Sequence, residues 1–176
     1  VLEELFLVRH AAPDRSLPMP YNVLPGPPLT AAGVQEAALT AIWLEGRGIE
    51  YLFVSPFERT KATADIIINR LGVPFTYTEA IREGGPGEKF EQIRARVAEL
   101  LVQLDDSPFR RVALVSHGAP VLAALRHTTE DRIDLKGHMY DHGNNTPTGG
   151  VWRGVRGERC WRWELAFRPV LQSVAV

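Results

Sequence analysis

Three short, unbroken apolar runs limit what this chain can fold into: residues 5–8 (Leu-Phe-Leu-Val), 51–54 (Tyr-Leu-Phe-Val) and 112–115 (Val-Ala-Leu-Val). None alternates with polar residues, as a strand with one wet face would. Continuous four-residue runs rich in branched and aromatic side chains read as strands covered on both faces, the signature of a parallel sheet. Helical patterns lie between them. Thr30 can cap a helix in which Val34, Ala37, Ala38, Ala41 and Ile42 share a face, ending at Gly46 and Gly48. Pro56 suits the first turn of a second helix, which buries Ala64, Ile67, Ile68 and Leu71 and stops at Gly72. Phe90, Ile93, Val97, Leu100, Leu101 and Leu104 mark a third, and a fourth starts near Gly118 and runs through residues 121–126. Strand–helix alternation of this kind predicts an α/β three-layer sandwich, a mostly parallel central sheet with helices on both faces.

The C-terminal part has a different rhythm. Trp161, Trp163, Leu165 and Phe167 alternate with Arg162, Glu164 and Ala166, so this segment reads as a strand of period two. Residues 151–155 pair with it across a turn at Arg156 and Gly157, as an antiparallel edge hairpin. The tryptophans are read as core packing. Two long loops remain, 13–28 with six of the 13 prolines and 127–150 with His127, His138 and His142. Loops of that length in a compact domain carry function or disorder, and substrate specificity is expected there.

A chain of 176 residues suits a single domain spanning 1–176 that buries about 70% of its unfolded surface. With 45% hydrophobic and 23% charged residues it is ordinary globular protein, neither disordered nor fibrous. Twenty Lys and Arg against 21 Asp and Glu leave a net charge of −1, without the basic footprint of a nucleic-acid binder. The first residues carry two acids and run straight into Arg9-His10, unlike a signal peptide, and no apolar run approaches the length of a membrane span. The single cysteine, Cys160, excludes an intramolecular disulfide and suits a reducing compartment. A cytoplasmic location is therefore expected. The oligomeric state is not legible.

Chemistry concentrates where the strands end. The first run delivers Arg9-His10, the second Ser55-Pro56-Phe57-Glu58-Arg59, the third Ser116-His117-Gly118. In an open parallel sheet, ligands bind beyond the carboxyl ends of the strands. Two guanidinium forks and two imidazoles converging there make a pocket for a dianionic phosphoryl group. Gly118 at a helix start adds backbone donors and a positive dipole end. The competing motifs are missing: no Gly-x-Ser-x-Gly elbow, no P-loop, no His-Glu-x-x-His. His138 and His142, with Asp141 between, have the spacing of helical metal ligands, but Gly137 and Gly143 make a poor helix, so no metal and no cofactor is expected.

The ordered set of segments resembles the histidine phosphatase superfamily, the phosphoglycerate-mutase-like proteins. The segments are Leu5-Phe6-Leu7-Val8-Arg9-His10-Ala11, Pro28-Leu29-Thr30-Ala31-Ala32-Gly33, Ser55 to Thr60 with Thr63-Ala64, and Val115-Ser116-His117-Gly118. The resemblance covers roughly the first 125 residues in order and spacing. It implies the phosphoglycerate-mutase-like fold and a phosphomonoesterase of the histidine acid phosphatase type. His10 would carry the phosphoryl group, while Arg9, Arg59 and a cationic His117 stabilise its oxygens. An acid between the second and fourth segments would protonate the leaving oxygen and then activate water. Glu83 matches the family pattern best, with Glu88 in reserve.

This chain departs from the family at Ala11, where glycine is usual, and at Lys89-Phe90-Glu91, where an aromatic-Glu-Gly ending is common. Ordinary backbone angles are expected at Ala11. The resemblance leaves phosphoglycerate mutase as an alternative, against which stand the short chain and Ala12-Pro13-Asp14-Arg15-Ser16 in place of the mutases' Glu-Ser-x-Trp-Asn. A non-catalytic module binding a phosphorylated ligand is a second alternative. The partner implied throughout is a phosphorylated small molecule or phosphoprotein, not nucleic acid or membrane.

Overall fold

All three apolar runs are strands in the computed structural model, which describes residues 1–172. The last four residues of the expected 1–176 domain lie outside the described part. The strands are β1 (Glu4–Arg9), β2 (Tyr51–Val54), β3 (Phe75–Tyr77), β4 (Arg111–Ser116), β5 (Val151–Arg156) and β6 (Trp161–Phe167). The helices are α1 (Ala31–Leu44), α2 (Glu58–Leu71), α3 (Phe90–Asp105) and α4 (Gly118–Thr128). Two 3₁₀ turns, Glu79–Ile81 and Asp141–Gly143, complete the described residues. One six-stranded sheet has the order β3-β2-β4-β1-β5-β6. The β1–β4, β2–β4 and β2–β3 pairs are parallel, whereas β5 and β6 join antiparallel at the edge.

The central strands are apolar throughout because they feed two cores. Leu5, Leu7, Val112 and Leu114 pack with Ile93, Val97, Leu100 and Leu104 of α3 and Val121 and Leu125 of α4. Phe6, Val8, Leu52, Val54, Ala113 and Val115 face the other way, onto Ala41 and Leu44 of α1 and Ala64 and Ile67 of α2. Thr30 caps α1 as expected, its side chain accepting from the Gly33 amide, and Gly72 ends α2 in the left-handed region.

Several expectations need correction. The buried face of α1 is Gly33, Ala37, Thr40, Ala41 and Leu44; Val34, Ala38 and Ile42 are exposed. Pro56 lies just before the cap residue Phe57 rather than in the first turn of α2, where Ile68 and Leu71 are half-buried. The hairpin turn occupies residues 157–160, since β5 continues through Arg156, and α4 reaches Thr128, so the second loop starts at 129. An irregularity between Val151 and Trp152 shifts the β5–β6 register, and Phe167 therefore leaves the face of Trp161, Trp163 and Leu165 to stack on Trp43 of α1 at 5.5 Å. Trp161 and Trp163 are half-buried against the α3–α4 core, as the packing reading requires.

Candidate active site

The parallel register brings the ends of β1 and β4 level, Arg9 opposite Ser116. The next peptide locks the two exits together, the His10 amide donating to the Ser116 carbonyl at 2.9 Å. Ser55 follows β2 and its amide donates to the Val115 carbonyl, so the third exit joins the other two. Arg59 points in from the first turn of α2 and His117 caps α4. Arg9, His10, Arg59 and His117 are all buried, each at most 1% exposed. His10 and His117 lie 5.3 Å apart between ring centres.

A hydrogen bond fixes the tautomer of His10. His10 Nδ1 lies 2.8 Å from the Ala11 carbonyl, which can only accept, so Nδ1 carries the proton and Nε2 the lone pair. The Tyr21 hydroxyl donates to that lone pair from 3.2 Å. Burial, then the charges of Arg59 and Arg9, push the His10 pKa well below 6.5, so the ring is neutral. His117 shifts the same way, through burial and then His10, Arg59 and Arg9. The protein alone thus holds His117 neutral, against the cationic form expected. Its Nε2 is 2.7 Å from Ser55 Oγ, and its Nδ1 is 3.4 Å from Glu83 Oε2 without forming a hydrogen bond.

Each arginine is gripped on part of its guanidinium and open on the rest. Arg9 donates from Nη1 and Nη2 to the two oxygens of Asp141, at 2.7 and 2.8 Å, and from Nη1 to the Thr146 carbonyl. Arg59 Nη2 donates to Glu83 Oε2 at 3.1 Å, while its plane stacks 4.0 Å from the Tyr21 ring centre. Among the described residues, Arg9 Nε, Arg59 Nε and Nη1, and His117 Nδ1 are buried without a partner. Leaving a buried polar group unpaired costs about 1–3 kcal/mol, so four in one cleft mark a site shaped for an anion. A cavity of about 420 Å³ opens above them, lined by Arg9, His10, Arg15, Tyr21, Glu83, Gly118, His142 and Asn144 among others.

The two acid candidates separate cleanly. Glu83 borders the cavity, Oε1 accepting from the Gly84 amide at 3.0 Å and Oε2 facing Arg59 and His117. Glu88 is structural: it accepts from Arg96 Nε at 2.8 Å, Arg82 Nη1 at 3.1 Å and the Gly85 amide at 2.9 Å. Those partners, Arg96 foremost, hold its pKa at about 2. Gly118 opens α4 so close to the second loop that a Cβ there would collide with the Asn144 carboxamide. Ala11, fully buried, has no positive φ, as expected, and its amide donates to Thr63 Oγ1.

Two residues escape the sequence reading. Tyr21 is the one aromatic in the proline-rich loop 13–28, and that isolation is the only signal it gives. Asp141 was weighed only as a metal ligand. Among the described residues no group of three or more His, Cys, Asp or Glu is placed to hold a metal: Asp141 binds Arg9, while His138 packs on Trp152. No helix among the described residues is long and apolar enough to cross a membrane.

Comparison with known proteins gives a consistent placement. The model of the histidine phosphatase superfamily (branch 1) matches residues 5–85. The uncharacterised phosphatase PhoE of Bacillus subtilis (strain 168) is 25% identical over 142 residues, 68% of this chain and 74% of that protein. A mycobacterial glucosyl-3-phosphoglycerate phosphatase, solved with VO₃, superimposes with a TM-score of 0.77 at 19% identity, covering 93% of this chain and 98% of that one. Bacillus stearothermophilus YhfR does so with a TM-score of 0.73 at 17% identity, covering 93% and 96%. At such identities these superpositions establish the fold.

Proposed function

We propose that this chain, which belongs to the histidine phosphatase superfamily, is a metal-independent phosphomonoesterase that works through a phosphohistidine on His10. One observation carries the reading: three unpartnered buried guanidinium N–H groups and the unpartnered Nδ1 of His117 lie around a neutral histidine whose Nε2 lone pair faces a cavity. A phosphate dianion takes those groups, together with the amide end of α4. Its arrival displaces the Tyr21 hydroxyl from Nε2.

The lone pair of Nε2 then attacks phosphorus as the bond to the ester oxygen breaks. That oxygen leaves with the bonding electrons and takes a proton from Glu83. Phosphorylated at Nε2 and protonated at Nδ1, the His10 ring is an imidazolium, and the Ala11 carbonyl already accepts from Nδ1–H. In the second half Glu83 takes a proton from water, the water oxygen attacks phosphorus, and the P–N bond breaks to restore neutral His10. Arg9, Arg59 and a His117 that gains a proton beside the dianion stabilise the equatorial oxygens in both halves. A cavity of about 420 Å³ is the size of a small-molecule site, which favours a phosphorylated metabolite or a side-chain phosphate over an extended polymer.

The test is hydrolysis of p-nitrophenyl phosphate and a panel of phosphorylated metabolites, with and without EDTA, by the wild-type protein and a folded His10→Ala variant. Turnover that ignores EDTA and vanishes in His10→Ala is the expected result, with an acid-labile phosphoryl adduct trapped on the wild type. Retained turnover in His10→Ala rejects the phosphohistidine. Isomerisation of phosphoglycerate outpacing hydrolysis makes the protein a mutase, and tight phosphate binding without turnover of any ester makes it a binding module.

A further inference from the structure

The sheet ends on β6, whose outer side pairs with no other strand among the described residues. An unpaired seven-residue edge invites another strand, and folded proteins usually blunt such edges with charge, proline or bulges. Here its two exposed charged residues are opposite in sign, Arg162 and Glu164, two positions apart on one face. Glu164 ends a row of alternating charges across the sheet. Arg111 pairs with Glu4 at 3.2 Å, Glu4 with Arg153 at 2.8 Å, and Arg153 with Glu164 at 3.6 Å. The next position outward calls for a cation. Arg162 has no acidic partner among the described residues.

We infer that β6 pairs antiparallel with β6 of a second copy of this chain, about a two-fold axis through Trp163. Such an axis keeps faces matched only if each pair of opposed residues has numbers of the same parity, which restricts the register. Centring on Arg162 or on Glu164 sets that charge against itself. Centring on Trp163 sets Arg162 opposite the second copy's Glu164, and does so twice. Each row Arg111–Glu4–Arg153–Glu164 then gains its missing cation from across the axis. On the opposite face the same register places Trp161 against Leu165 and Trp163 against Trp163. Those half-buried side chains border a cavity of about 550 Å³. Two ion pairs over one face and an aromatic-aliphatic row over the other are the kind of cross-strand contacts that stabilise a sheet.

Sedimentation equilibrium of the whole chain tests this, with three samples beside the wild type: Arg162→Glu, Glu164→Arg, and their equimolar mixture. The wild type is expected at twice the 19.6 kDa chain mass. Each variant alone turns both ion pairs into like-charge pairs, and its self-association should weaken about ten- to a hundredfold. Both sites are exposed, so unchanged circular dichroism is expected for each variant. In the mixture every acid again meets a base, and mixed dimers should form. The inference is overturned by a wild type that stays monomeric up to its solubility limit. It is also overturned if both variants dimerise as tightly as wild type, or if the mixture fails to associate.

Discussion

Replacing Glu83 by Gln keeps the shape of the side chain and removes the proton it would give. Its oxygens are both engaged, Oε1 by the Gly84 amide at 3.0 Å and Oε2 by Arg59 at 3.1 Å. Glutamine has one acceptor oxygen, so one of these contacts is lost; a hydrogen bond to a charged group is worth about 1.5–3 kcal/mol. That loss disturbs the site for every substrate alike and cancels in a ratio. What does not cancel is the proton. A positioned general acid contributes about 10²–10⁴-fold, or about 2.7–5.4 kcal/mol, where the leaving oxygen is basic. Little of that is needed for p-nitrophenolate. The assay is kcat/KM on an alkyl phosphate and on p-nitrophenyl phosphate, a quantity that reports through phosphorylation of His10. Glu83→Gln should lower the alkyl value at least about 10²-fold more than the aryl value, at the lower limit for general acid catalysis. Equal losses on both substrates would refute the role, whatever their size.

Three other outcomes follow from the same geometry. His10 and His117 are both held below the ordinary 6.5, so the unfolded chain binds more protons and stability falls as pH drops below that value, by up to about 1.4 kcal/mol per pH unit for each ring; urea midpoints between pH 7 and about 5 should show this slope, and His117→Asn should remove one proton's share of it. Glu88→Gln should cost about 1–3 kcal/mol in urea unfolding while leaving the preference between leaving groups as in the wild type. The carboxyl it removes sits at about 2 in the fold against 4.5, so its stabilisation is full above 4.5 and lost as pH falls towards 2. A Cβ at Gly33 would strike the Ala12 backbone, which cannot rotate away, so Gly33→Ala should lower both melting temperature and turnover by displacing the segment after His10; a variant as stable and active as wild type contradicts that close approach.

The strands that carry the site were legible because both faces of a parallel sheet are buried, which makes their sequences continuous. β3 was not, since Phe75–Tyr77 is three residues long and exposed at every position. In α1 the alanines on two sides left the buried face open, and contacts outside the helix settle it. Thr40 turns inward because its hydroxyl donates to the Gly149 carbonyl at 2.7 Å, and Gly33 because it passes against Ala12. Arg9, His10, Arg59 and His117 could be grouped from sequence because each ends or immediately follows a strand, or lies in the first turn of the next helix. Tyr21 and Asp141 arrive on irregular loops, where no periodicity says which residue faces inward. In the sequence, only the family resemblance ranks Glu83 above Glu88; the structure separates them because Arg96, Arg82 and the Gly85 amide hold Glu88.

Counting charge in the cleft explains why Asp141 and Glu83 belong to it. Arg9, Arg59 and Arg15 supply three positive charges, and Asp141 and Glu83 supply two negative ones. With His10 and His117 neutral the sum is about +1, and the two carboxylates pin Arg9 and Arg59 in place before any anion arrives. Such preorganisation keeps guanidinium motion out of the reaction's cost. It also leaves a dianion only partly compensated by fixed charge, and the rest of the balance has to come from protons. On the proposed mechanism the groups that take one are His117 at Nδ1 and the Glu83 carboxyl, 3.4 Å apart. His10 is shielded from that demand, because its Nδ1 already holds a proton on the Ala11 carbonyl and its Nε2 is the atom that would bond to phosphorus in the proposed reaction. In the proposed reaction, substrate charge would thus draw protons onto Glu83 and His117, while burial and the arginines beside His10 keep that ring neutral.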